Sequence, residues 1–124
     1  MLRLLLIEDS ADDAELLALH LQDAGMQVQM QRIDRLPAIA EALAAFMPDV
    51  VVCDGRLPGF VALDALRIVR EHAPSLPFVH CPGGYDEEPE TLEAERLADA
   101  SVHKDHFERI PRIIQDLLQP RQGG

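Results

Sequence analysis

Tryptophan is absent and tyrosine occurs once among the 124 residues, so the chain has almost nothing with which to sandwich a flavin ring. Basic residues are also few: 11 Lys plus Arg stand against 22 Asp plus Glu, a formal charge of -11. That deficit disfavours a broad basic surface for nucleic acid or anionic lipid, and leaves a metal, a cationic ligand or a basic partner. The two cysteines, Cys53 and Cys81, form no CxxC pair, which removes zinc-ribbon and thioredoxin-like readings and predicts reduced thiols. No apolar run approaches the roughly 20 residues that span a bilayer. The short run Leu4 to Ile7 meets Glu8 and Asp9 rather than a small-residue cleavage site, and a cytoplasmic location is expected. With seven Gly and nine Pro the composition fits neither a collagen-like nor a disordered chain.

What is present is a rhythm. Apolar runs at Leu2 to Ile7, Val50 to Cys53, Phe78 to Cys81 and, more weakly, Ser101 to His103 have strand length, and Met26 to Met30 reads as an alternating strand. Helical spacing follows each one. Ser10 can cap a first helix that carries Asp12 and Asp13 in its first turn, where carboxylates favour the helix dipole, and Ala14, Leu17, Leu21 and Ala24 lead to Gly25. Leu36, Ile39, Ala40, Leu43 and Met47 line a second helix ending before Pro48; Leu63, Leu66, Val69 and Ala73 line a third ending before Pro74. A fourth, within Glu88 to Ala98, is acidic and has a thin apolar face. The fifth runs from Phe107 to Leu118 with Pro111 in its first turn, and Gln119 to Gly124 reads as a loose tail after a 1–118 domain. Strands apolar on both faces, alternating with helices, predict a doubly wound parallel α/β sheet that binds its ligand at the carboxyl ends of the strands.

At those ends stand Glu8 and Asp9 after the first strand, Asp54 after the third, and Lys104, the single lysine, after the fifth. Converging carboxylates repel unless a cation neutralises them, and hard oxygen donors suit Mg²⁺. A compact ammonium beside them is a point charge for a transferring phosphoryl group. Arg56 could screen the carboxylates or clamp an anion, against the plain reading of a solvent-facing loop arginine. Cys53 and Cys81 are read as core thiols facing one another on adjacent strands. His80, His103 and His106 are too irregularly spaced for a transition-metal cluster, and Gly83-Gly84 lacks the Lys-Ser/Thr tail of a P-loop.

The strand followed by Glu8-Asp9-Ser10, the segment Pro48 to Gly59 around Asp54, and Val102-His103-Lys104-Asp105 together resemble the receiver domain of two-component response regulators, over Leu2 to about Leu118. The resemblance implies a five-stranded (βα)5 flavodoxin-like sheet in the order 2-1-3-4-5, with Asp54 as phosphoacceptor. It implies Mg²⁺ on Glu8, Asp9, Asp54 and the backbone carbonyl of Arg56, and Lys104 on the phosphate with the Gly83 NH beside it. At most, activity would be self-phosphorylation and dephosphorylation at Asp54, with no separate substrate turned over. Implied partners are a histidine kinase or phosphotransfer protein and, downstream, a second copy of the chain or another protein; nucleic acid and membrane are not implied.

Two positions depart from the family pattern. Pro82 stands where a Ser or Thr ordinarily ends the fourth strand, and Ser101 stands where an aromatic precedes the lysine. Pro offers neither hydroxyl nor NH. The expectation is therefore atypical switching, in which a phosphoryl group leaves the fourth helix nearly unchanged, and the alternative is a phosphorylation-independent interaction or dimerisation module with a vestigial acidic pocket. A flavin-binding sheet, the third reading, finds no Ser/Thr-rich phosphate loop after the first strand. Loss of Lys104, placed at an exposed strand end, is expected to leave stability little changed.

Overall fold

The computed structural model describes residues 1–85 and 87–119; of the tail read from the sequence, residues 120–124 lie outside the described residues. In chain order the elements are β1 (Leu2–Ile7), α1 (Ala11–Asp23), β2 (Val28–Ile33), α2 (Ala38–Phe46), β3 (Val50–Asp54), β4 (Arg56–Leu57), β5 (Phe60–Val61) and α3 (Ala62–His72). There follow β6 (Phe78–Cys81), α4 (Pro89–Leu97), β7 (Ala100–Ser101), a 3-10 helix (Lys104–Arg109) and α5 (Ile110–Leu118). The order β2-β1-β3-β6-β7, all parallel, is the expected 2-1-3-4-5 once the small β4–β5 hairpin is set aside.

Alternation along the strands builds two cores. Leu4, Leu6, Val50, Val52, Val79 and Cys81 face one side, where Leu17 and Leu21 of α1 and Ile110 and Ile114 of α5 close over them. Leu5, Ile7, Val51, Cys53 and Phe78 face the other, against Ile39 of α2, Leu66 and Val69 of α3 and Ala94 of α4. Side chains that point to opposite faces at successive positions make a strand buried on both sides apolar throughout, which is why β1, β3 and β6 read as continuous runs.

Several boundaries differ from the sequence reading. The second strand lies later, at Val28–Ile33, because the Met26 NH still bonds the Leu21 carbonyl at the end of α1 and the ladder opens at Leu2 opposite Val28. The last strand stops at Ser101 rather than His103, whose Nδ1 accepts the Asp105 NH at 3.0 Å and turns the chain into the 3-10 helix. That helix precedes α5 where one helix from Phe107 was expected. Pro111 supplies no NH to bond a carbonyl one turn earlier, so a regular α-helix can start only about where α5 does.

The cysteines do not face each other. Asp54 pairs with Cys81 and Cys53 with His80, a register one residue away from the expected one, so the thiols lie in opposite cores. Burial pushes both thiols up, with nearby carboxylate charge adding to it, so both stay protonated.

Candidate functional site

Parallel strands bring all their carboxyl ends to one edge, and the sheet order reverses between β1 and β3. Pairing of Ile7 with Cys53 sets Glu8 next to Asp54, and Asp9 follows on the loop. One oxygen from each of Glu8, Asp9 and Asp54 lies within 4.8 Å of the others. Among the described residues this is the one group of His, Cys, Asp and Glu side chains close enough to share a metal ion, so the His80, His103 and His106 set is not brought together with the cysteines. The donors are all hard oxygens, and two of the three residues are buried, an arrangement that fits a small divalent cation with water in its remaining positions.

Lys104 reaches this cluster from the first position of the 3-10 helix that follows β7. Its Nζ lies 2.7 Å from Glu8 Oε1, 2.7 Å from Asp13 Oδ2 and 3.2 Å from Asp54 Oδ2. Three N–H donors meet three carboxylates. The side chain is only 19% exposed, which corrects the reading of an exposed strand end. Burial works against its charge, yet the hydrogen bonds to Asp13 and Glu8 and the charge of Asp54 outweigh it and hold the ammonium above the ordinary lysine range. Asp13, read from sequence as a helix-dipole residue, does occupy the first turn of α1, where the Ser10 hydroxyl caps its NH; its carboxylate is also a Lys104 partner.

Glu8 is 2% exposed, and burial, then the charge of Asp54, push its carboxyl up to about 7 despite hydrogen bonds donated by Lys104 and the Ser10 NH. Carboxylate and ammonium thus depend on one another: among the described residues Lys104 is the one cation paired with the Glu8 carboxylate, while Arg32 Nη1 donates to the Glu8 backbone carbonyl at 3.2 Å.

Above the cluster opens a cavity of about 330 Å³ lined by Asp54, Gly55, Arg56, Pro82, Gly83, Gly84, Thr91 and Lys104. Its floor is tied by backbone bonds: Gly55 NH to the Cys81 carbonyl, Lys104 NH to the Pro82 carbonyl, and Ala62 NH to the Gly55 carbonyl across the β4–β5 hairpin. Pro58-Gly59 turns that hairpin, with Gly59 at φ 88°, and Arg56 stands exposed at its start on the cavity wall. Gly83 packs against the aliphatic stem of Lys104, to which an added Cβ would come within 3.4 Å of Cδ. Gly55 is closer still to its neighbours. An added Cβ there would sit 2.9 Å from Pro82 Cα and 3.3 Å from His80 Nε2, so Gly55→Ala should cost about 1–3 kcal/mol in chemical denaturation, as overpacking does.

Ser101 lies on β7 with its hydroxyl 3.1 Å from Nδ1 of the buried His80. The position thus holds a buried ring on β6 instead of carrying an aromatic of its own. Sequence reasoning did not single out Thr91, Asp13 as a lysine partner, or Tyr85, which stacks on His103 with ring centres 4.0 Å apart.

No family model matches the sequence, and no curated protein matches it. Solved structures do match in fold. The receiver domain of a signal transduction histidine kinase from Syntrophus aciditrophicus superimposes with a TM-score of 0.81 at 19% identity, over 100% of this chain and 95% of that one. The receiver domain of the sensor histidine kinase PA1611 from Pseudomonas aeruginosa PAO1, described with a magnesium ion coordinated in its active-site cleft, gives 0.77 at 18% identity over 94% and 96%. The response regulator TrrA from Thermotoga maritima, in complex with Mg²⁺ and BeF, gives 0.74 at 24% identity over 95% and 100%. The chain has the doubly wound fold of response-regulator receiver domains.

Proposed function

We propose that this chain is a receiver that takes a phosphoryl group onto Asp54 from the phosphohistidine of a histidine kinase or phosphotransfer protein. The observation that carries the reading is the meeting of three carboxylates from two adjacent strand ends with the chain's single lysine, beside a cavity into which a phosphoryl group fits. Glu8, Asp9 and Asp54, with the backbone carbonyl of Arg56, are the residues that would hold Mg²⁺. Bound there, Mg²⁺ supplies positive charge against the oxygens of the transferring group.

The chain's own residues do the rest. A carboxylate oxygen of Asp54 attacks phosphorus, the P–N bond breaks, and the donor imidazole leaves with the electron pair and takes a proton. Lys104 turns its ammonium from the carboxylates to the phosphoryl oxygens, where charge is added, and Gly83, which lines the same cavity, would offer its NH as a further donor. No separate substrate is turned over. No helix among the described residues is long and apolar enough to cross a membrane.

The test is intact mass after incubation with a small phosphodonor and Mg²⁺. Wild type should gain the mass of one phosphoryl group and Asp54→Asn should gain none. An adduct of equal yield in Asp54→Asn, or none in wild type, would refute the assignment.

A further inference from the structure

The departure at Pro82 leaves the cavity without the hydroxyl that the resemblance places there, yet the cavity has one. Thr91, the chain's single threonine, lines it together with Asp54, Gly83 and Lys104. The other small hydroxyl residues are otherwise placed. Ser10 caps α1, Ser101 bonds His80, and Ser75 is not among the residues lining this cavity. Thr91 is half-buried in the first turn of α4, and its hydroxyl makes no hydrogen bond to the described residues.

We infer that Thr91 supplies the hydroxyl ligand of the phosphoryl group on Asp54, from helix α4 instead of from the end of β6. The inference rests on the receiver reading above. A hydroxyl at the cavity wall can donate to an anionic phosphoryl oxygen, and a bond to a charged acceptor is among the stronger neutral-donor contacts. Its location changes what the contact does. A ligand shifts a conformational equilibrium only through an interaction that differs between the two states, and a bond from Thr91 ties that difference to α4.

Two features make α4 suited to respond. Ala94 is its one fully buried residue, so little packing resists a shift of its first turn. Leu92, the next residue after Thr91, lines a second cavity of about 470 Å³ with Tyr85, Ser101 and His103, and Pro82 and Gly84 border both cavities. Drawing Thr91 toward Asp54 therefore moves Leu92 in the wall of the neighbouring groove. A responsive fourth helix is the opposite of what Pro82 and Ser101 alone imply, and the experiment below decides between the two.

The experiment compares wild type, Thr91→Val and Thr91→Ser, each with Mg²⁺ and beryllofluoride as the phosphoryl mimic, by amide NMR and titration. In wild type the mimic should shift amides around Asp54 and across α4, including Leu92. In Thr91→Val, which keeps the shape and removes the hydroxyl, the shifts around Asp54 should persist, those across α4 should shrink, and the mimic should bind roughly tenfold to a hundredfold more weakly. Thr91→Ser should restore both. If Thr91→Val behaves as wild type, the inference is wrong while the receiver reading stands; if wild type takes up no mimic, both fall.

Discussion

Replacing Lys104 by alanine should destabilise the protein without metal, at pH 7.5, by about 3 kcal/mol, the low end of the roughly 3–5 kcal/mol lost when one partner of a buried ion pair is removed. Glu8 and Asp54, almost wholly buried, would be left facing one another with no ammonium between them. The low end applies because Glu8 has an escape: its carboxyl already titrates near 7 and can take up a proton. The loss should therefore be smaller at pH 5 than at pH 7.5, and millimolar Mg²⁺ should restore part of it by binding the folded state alone. Lys104→Met, which keeps a stem for Gly83 to pack on, should lose nearly as much, identifying charge as the cause. Urea unfolding followed by circular dichroism decides the matter; a Lys104→Ala midpoint within error of wild type would mean that the carboxylates relax into water.

The ends of the central strands were legible in the sequence because each is marked by a change from a wholly apolar run to a charged residue: Ile7 to Glu8, Cys53 to Asp54. Parallel topology then does the assembling, since it places every such end on one edge whatever lies between. What depended on register or on contacts distant in sequence was not legible. Whether Cys53 faces Cys81 turns on a single-residue offset between β3 and β6, which neither strand's composition encodes. The pairing of Asp13 with Lys104 joins residues 91 positions apart. Asp13 sits where a carboxylate is already accounted for by the helix dipole, so nothing in its position points to a second partner. Thr91 was passed over because it lies on an acidic helix whose one evident property was a thin apolar face. The β4–β5 hairpin has two residues per strand, too few to show a period.

Folding stability without metal should fall as pH rises from about 5 to about 7, and Glu8 is the reason. Its carboxyl titrates near 7 in the folded chain against an ordinary value of 4.5, so between those limits the folded state binds the proton that the unfolded state has released. The linkage slope follows the protons bound by the unfolded state minus those bound by the folded state, which is negative here, and stability declines with pH. The cause is burial first and the Asp54 charge second, with Lys104 limiting both. A divalent cation needs the carboxylate, so its binding follows the opposite course. Mg²⁺ affinity should rise about tenfold from pH 6 to pH 8, the proton being a competitor below a pKa near 7. Glu8→Gln separates the two effects: it should remove the decline in stability over that interval and, by deleting a ligand, weaken Mg²⁺ binding at every pH. Urea midpoints and magnesium titrations of wild type and Glu8→Gln across this range test both slopes. A wild-type stability curve parallel to that of Glu8→Gln would place the Glu8 carboxyl at its ordinary value, with Lys104 holding it ionised throughout.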